Sequence, residues 1–364
     1  MALPKVEVFG KDIYDLGLVT NIPGIGEQKT FQKDKLITNS FNITARNHEE
    51  FFSIGNPASL FNGADWLYTP VKVTGREGEV IWNGVLTNIL RNHESKTAEL
   101  VTKNGLYKLR NERINYSSST WETGATAFRN IADAIGFTEY NERSVRASDN
   151  QLLEAGALMK VNVSIDDNIS FQGITEKLAE YSNADAYSHD NEIHFQHWVR
   201  FNEPGAVKVK TADLKAFPSV TELEREILND YSIGYDGDGG VPATDAANGN
   251  IGVASRTKFG VKSVPELRSG STDNMIAFKD LTTAVYVGEG YMRRTSKNIE
   301  TNPLPLTQIS FELFSTNREW LTLNSYFKLT FPDEGWTEKI FEVFQFTIDE
   351  DNDSIPIVAV EVIT

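Results

Sequence analysis

Three histidines stand close together at His189, His194 and His197, and imidazoles so clustered bind zinc or iron when their rings converge. In a β-strand, residues an odd number apart point to opposite faces, which sets His194 against His197 and favours structural roles for both. Asp349, Asp351 and Asp353 repeat the first three positions of a calcium loop. The sixth position holds Ser354 instead of glycine and the twelfth Val360 instead of glutamate, so the sharp turn and the bidentate ligand are both missing and a solvated hairpin turn is the better reading. Asp236-Gly237-Asp238-Gly239-Gly240 offers further carboxylates but reads as an acidic loop. Gly24-Ile25-Gly26 lacks a following Lys-Ser/Thr and a third spaced glycine, so a turn is expected there, not a phosphate cradle.

The remaining chemistry thins out quickly. There is no Gly-x-Ser-x-Gly elbow for acyl transfer, and the absence of cysteine removes thiolate nucleophiles, disulfides and cysteine-bearing zinc sites. The 51 acidic residues offer many carboxylate pairs for glycoside hydrolysis, none of which stands out. Trp66, Trp82, Trp121, Trp198, Trp320 and Trp336 motivate a second reading, a carbohydrate-active enzyme or lectin, although their spacing builds no sugar platform and Trp equally serves cores and interfaces. Asn42-Ile43-Thr44, Asn162-Val163-Ser164 and Asn168-Ile169-Ser170 fit a glycosylation sequon without a secretory signal ahead of them. No catalytic, cofactor-binding or metal-ligating residue is assigned.

The elements that would position any site divide by period. From residue 5 to about 112 the alternation is two, as in Phe41-Asn42-Ile43-Thr44-Ala45. A hairpin runs from Val71 to Ile89 around Gly75-Arg76-Glu77-Gly78, and a second turn follows at Arg91-Asn92-His93-Glu94. In its second strand Ile81, Val85 and Ile89 share one face while Trp82 and Leu86 share the other, so both faces are partly buried, as in a barrel wall that also meets a neighbour. Near residue 118 the period changes: Ser119 and Glu122 have capping-box spacing, Phe128, Ile131, Ala132 and Ile135 form a helical stripe, and Gly136 supplies the C-cap, for a helix of about four turns. A second helix starts after Ser170, with a hairpin behind it, and a third spans about Asp280 to Thr295. Between residues 221 and 250 seven acids face one base, Arg225, and the Gly/Asp/Ala/Asn-rich stretch from Gly234 to Gly252 reads as a loop.

These patterns make an α+β, predominantly β chain: two similar antiparallel β-barrel domains with a mixed α/β insertion between them. Residues 1–115 form the first barrel, 116–212 the insertion, 213–303 an acidic loop and connecting helix, and 304–364 the second barrel, completed by strands from earlier in the chain. The last section repeats the first: Val71-Lys72-Val73-Thr74 matches Phe327-Lys328-Leu329-Thr330, and Ile81 to Ala98 spans 17 residues, as does Ile340 to Ile357. Ile81, Trp82, Leu86, Phe341 and Val343 are the candidate residues of an oligomer or partner interface. Lys+Arg 35 against Asp+Glu 51 leaves −16, a field that repels polyanions and disfavours sequence-reading nucleic-acid binding. No signal peptide and no membrane span is read.

Taken in order, these segments resemble the central tail or baseplate hub proteins of long-tailed bacteriophages, a family that includes late control D proteins and the N-terminal part of tail-associated proteins. The resemblance is carried by Phe171 to Ala184 with Asn191 to Phe195, by Lys258-Phe259-Gly260-Val261-Lys262 with the helix after Asp280, and by Thr307 to Phe314, Phe327 to Phe331 and Phe341 to Ile348. Asn324-Ser325-Tyr326 replaces the family's "GD", and no fibre, lysozyme or peptidase extension follows Thr364, which leaves the hub module alone and non-enzymatic. The resemblance implies a homotrimer at the virion tail tip or baseplate, assembled in the bacterial host cytoplasm. Its two barrels per chain would make a pseudo-sixfold ring joining a tail tube or distal tail protein to a spike or fibre protein, with DNA passing through the lumen without specific binding. The equivalent hub of a non-phage contractile injection system shares the same reading.

Overall fold

The computed structural model describes residues 4–22, 24–28, 39–76, 78–104, 107, 112–141, 161–189, 192–197, 206–233, 243–244, 251–263, 276–314, 320–323, 325–349 and 352–362. Alternation makes the strands. β1 (Lys5–Val8), β2 (Lys11–Asp12), β3 (Val19–Asn21), β4 (Ile25–Gln28), β5 (Ser40–Arg46), β6 (Pro70–Thr74), β7 (Val80–Asn92) and β8 (Thr97–Lys103) open the chain. All but β4 form one curled sheet in the order β2-β1-β6-β7-β8-β5-β3. β5 buries Phe41, Ile43 and Ala45 while Asn42 is exposed and Thr44 half-buried between them, the period-two pattern of a sheet with one wetter face. β7 does not alternate: Ile81 and Trp82 are both buried, as are Val85 and Leu86, so this strand is covered on both faces, as its sequence indicates.

The second sheet holds β13 (Val207–Val209), β14 (Leu214–Glu222), β20 (Thr307–Leu313), β21 (Tyr326–Phe331), β22 (Trp336–Ile348) and β23 (Ile355–Glu361), in the order β13-β21-β22-β23-β20-β14. Its pairing is antiparallel except where β13 runs parallel to β21. The two sheets share one strand order: β1, β6, β7, β8, β5 and β3 stand where β13, β21, β22, β23, β20 and β14 stand, except that β1 runs antiparallel to β6 where β13 runs parallel to β21. Both are half-barrels. Their long strands carry the same defect, a bulge between Leu86 and Asn88 in β7 and between Val343 and Gln345 in β22. Anchored there, Leu86 matches Val343 and Ile89 matches Phe346, whose cross-strand partners are Leu100 and Ile357. The sequence match of Ile81 with Ile340 is thus two residues out of register. A slip of two preserves which face every side chain takes, so alternation alone cannot detect it.

β4 departs from its own half. Ile25, Gly26, Glu27 and Gln28 pair antiparallel with Ile348, Thr347, Phe346 and Gln345 of β22, which corrects the turn expected at Gly24-Ile25-Gly26. Side chains are absent for a steric reason: a Cβ on Gly24 would come 2.8 Å from Thr347 Cγ2 and one on Gly26 2.9 Å from Thr347 Oγ1. Buried residues of both half-barrels form one continuous core, with Ile25 in it.

A second core belongs to an α/β body drawn from two stretches of chain, one between the half-barrels and one inside the second. It contains β9 (Arg113–Ser117), β10 (Val161–Ser170) and β17 (Ile276–Phe278) in one sheet, the hairpin β11 (Ala184–His189) and β12 (Glu192–His197), and the short pairs β15 (Ser232–Ile233) with β16 (Ala243–Thr244) and β18 (Ser296–Lys297) with β19 (Leu304–Pro305). The helices are α1 (Gly124–Ala134), α2 (Phe171–Tyr181), α3 (Val253–Phe259) and α4 (Leu281–Thr295). α2 and α4 begin where the sequence places them, with Ser170 accepting from the Gly173 amide at 3.2 Å and Asp280 from the Thr283 amide at 2.9 Å. α1 is shorter than expected. Its N-cap is Thr123, accepting from the Thr126 amide at 3.0 Å, not Ser119 with Glu122. Glu122 is buried and accepts instead from Tyr116, Ser118 and Asn130, partners that hold it outside the helix. Gly136 lies just past the C-cap at φ +69°, as expected.

Candidate assembly surface

Edges are what this fold leaves open. The outer strand β14 is the most exposed, with Phe217 69% accessible and its ring 6.1 Å from that of Phe331. Pro218 and two register shifts interrupt its ladder, and Lys215 donates to the Asn352 carbonyl, features that blunt unwanted edge pairing. At the opposite rim, Lys208 of β13 is ion-paired with Glu338 at the start of β22. Further in, the Glu361 carboxylate accepts from Lys297 Nζ at 2.7 Å and from Lys339 Nζ at 3.2 Å. Burial works to raise the Glu361 carboxyl, but hydrogen bonds from Lys297 and Thr307 and the two lysine charges outweigh it and hold the group below its ordinary value.

Ile81, Trp82, Leu86, Phe341 and Val343 come together, but inside the chain. All five are buried within the shared core of the half-barrels, Leu86, Phe341 and Val343 completely. Phe341 stacks on Phe327 at 5.8 Å, and Trp82 lies 5.6 Å from Phe41.

A polar cluster sits where the α/β body meets the second half-barrel. The Arg294 guanidinium, in the last turn of α4, is ion-paired with Asp185 of β11 and donates to Asn183 Oδ1 at 3.0 Å, all three residues being buried. Tyr326 and Glu342, cross-strand partners in β21 and β22, face the same region. Burial first, then the charges of Glu342 and Asp185, push the Tyr326 hydroxyl well above its ordinary pKa, with Arg294 opposing. His194 stacks on Tyr187 at 4.8 Å and lies 6.0 Å from His189. Burial, with His189 adding to it, lowers the His194 pKa to about 3, so the ring is neutral at physiological pH. Sequence reasoning finds His194 but misses Arg294, Asp185 and Glu342, because a buried ion pair leaves no spacing signal between residues about a hundred positions apart.

The remaining candidates are not brought together among the described residues. Among the described residues no three His, Asp or Glu side chains gather to hold a metal ion. His194 and His197 pair with Tyr187 and Ala184 and so alternate across β12, while the His197 side chain lies outside the described residues. Asp349 follows β22 in a hairpin turn, accepting from the Asn352 amide at 3.1 Å, whereas Asp351 and Asp236 to Gly240 lie outside the described residues. The same holds for Trp198, Asn324 and most of the stretch from Gly234 to Gly252. Trp66, Trp320 and Trp336 pack against the core beside Trp82. Among the described residues no helix is long and apolar enough to cross a membrane.

Two copies of one open half-barrel, fused through a shared core and interrupted by an α/β body, define the class of fold. The same fold is found in solved phage tail proteins. The 43 kDa tail protein of prophage MuSo2 from Shewanella oneidensis is similar over 98% of this chain and 97% of its own, with a TM-score of 0.58 and 11% identity. A tail protein from Neisseria meningitidis MC58 is similar over 99% and 96%, with 0.57 and 11%. Prophage tail protein gp18 from Listeria monocytogenes EGD-e is similar over 99% and 94%, with 0.52 and 10%. No protein-family model matches the chain, and no curated protein matches it in sequence.

Proposed function

We propose that this chain is a structural, non-enzymatic hub of a phage tail tip or baseplate. Three copies, each bringing two half-barrels, form a pseudo-sixfold ring that joins a sixfold tail tube to a threefold spike or fibre and lets DNA pass through its lumen. The observation that carries the reading is the duplication itself, down to the matched bulges of β7 and β22, because a threefold assembly of doubled units presents six related edges around one axis. The tail-protein fold supports it over nearly the whole chain. A net charge of −16 per chain fits a lumen that does not hold DNA electrostatically.

Light scattering of the purified chain at several concentrations tests the reading. Three chains of 40.7 kDa give a mass of about 122 kDa, and negative-stain images of that species are expected to show a ring with six lobes. A monomer at every concentration, alone and with tube protein added, refutes the ring. Turnover of cell-wall glycans refutes the purely structural role.

A further inference from the structure

We infer that the open edge of β7 from Asn88 to Asn92 is a docking groove for an extended strand of a second copy of this chain, an inference that rests on the ring reading above. The two half-barrels treat the same backbone differently. In the second, Gln345 to Ile348 of β22 pairs with β4 on one side, and Gln345 and Phe346 also pair with β23 on the other. The matching stretch of the first, Asn88 to Arg91 of β7, pairs with β8 alone, and among the described residues no strand lies along its other side. The Ile89 amide there donates to the Asn88 side-chain oxygen at 2.8 Å, a local substitute for a neighbouring strand's carbonyl.

The side chains agree with the backbone. Ile89 is already buried in the core, as Phe346 is, so the inner face of the groove is built. Leu90 occupies the place of Thr347, which in the second half-barrel faces Gly24 and Gly26 of β4. Nothing plays that part for Leu90 among the described residues, and it is 49% exposed. An edge amide held only by the adjacent Asn88 side chain and a half-exposed leucine beside a finished core form an edge suited to strand addition.

The occupant follows from the repeat. β4 belongs to the connection between β3 and β5 in the first half-barrel and is spent on the second. The groove on the first is left to the second half of a neighbouring copy. Such a contact joins unlike surfaces head to tail, the type that closes into a ring when the rotation allows. A strand crossing Leu90 needs small residues at the contact, as glycines supply at Thr347.

Hydrogen exchange of the full-length protein, read by mass spectrometry at low and high concentration, tests the groove alongside light scattering. The amides of Ile89 and Arg91 lie two apart and face the same edge, and in the trimer they are expected to exchange at least about tenfold more slowly than in the monomer. Arg91→Pro removes one edge donor and leaves the β8 side intact, while Leu90→Glu charges the outer face. Each is expected to keep the wild-type circular dichroism and weaken trimerisation by at least about tenfold. Should Arg91→Pro misfold, Leu90→Glu decides. A wild-type trimer whose β7 edge exchanges as in the monomer, or a folded Leu90→Glu protein that trimerises like wild type, overturns the groove and leaves the ring standing. A wild-type protein that never trimerises overturns both.

Discussion

Asp185→Asn is expected to destabilise the protein by about 3 kcal/mol, because it removes the carboxylate ion-paired with the buried Arg294 guanidinium and leaves Asn183 Oδ1 as a weaker acceptor in the cluster that also holds Glu342. The side chains of Arg294 and Asp185 are 6% and 7% exposed, so solvent does little to screen the remaining charge. Removing one partner of such a pair costs about 3–5 kcal/mol, and the amide oxygen that the substituted side chain still offers places this variant at the low end. Arg294→Met orphans the Asp185 carboxylate instead and is expected to cost about 4 kcal/mol. With both substitutions neither charge of the pair remains, and the double variant is expected to lose only about 1–2 kcal/mol, giving a coupling energy of several kcal/mol. With an unfolding entropy of about 2.1 cal/mol/K per residue, 3 kcal/mol lowers the melting temperature by roughly 4 °C. Urea titrations of the four proteins, repeated at low and high salt, give the cycle directly. Single losses that simply add in the double variant would refute the claim that these charges hold each other in a buried junction.

Two further outcomes follow from neighbouring geometry. Gly288→Ala in α4 would ordinarily favour a helix, but here its Cβ would lie 2.5 Å from Tyr231 Cγ and 2.7 Å from Cε2, so a loss of about 1–3 kcal/mol in urea is expected, and a gain would show that the ring yields freely. His194 has a folded pKa of about 3 against about 6.5 unfolded, so its contribution is complete above pH 6.5 and is lost as pH falls from there toward 3. Because the ring is partly accessible, about 1–2 kcal/mol is expected to separate wild type from His194→Phe at pH 5 beyond their difference at pH 7. Equal differences at the two pH values would remove His194 as the source.

What the sequence makes legible is period and punctuation. Ser170, Asp280 and Gly136 each act within one turn of their own position, and the helices they cap stand where the sequence places them. The alternation of β5 and β8 likewise declares which face is buried. Glu122 misleads because its spacing from Ser119 is that of a cap while its hydrogen bonds reach Tyr116, Ser118 and Asn130. Gly24 and Gly26 look like turn residues because their true partner, Thr347, lies at the other end of the chain. The candidate interface residues are large apolar groups on two-faced strands, and that same pattern describes a strand walled in by its own core.

The pairing of Ile25 with Ile348 spans 323 positions, since 348 minus 25 is 323, and this has a kinetic consequence. The first half-barrel is synthesised early, yet β4 has no strand to join until β22 is made. Contacts of such sequence separation slow folding and expose intermediates to misassembly. The α/β body, drawn from both sides of β13 and β14, is likewise finished only after α4. A nascent chain therefore carries an unmatched β4 through most of its synthesis, and a product truncated before Trp336 keeps that strand without its acceptor. The β4–β22 pairing is therefore available to the chain only once nearly all of this sequence has been made.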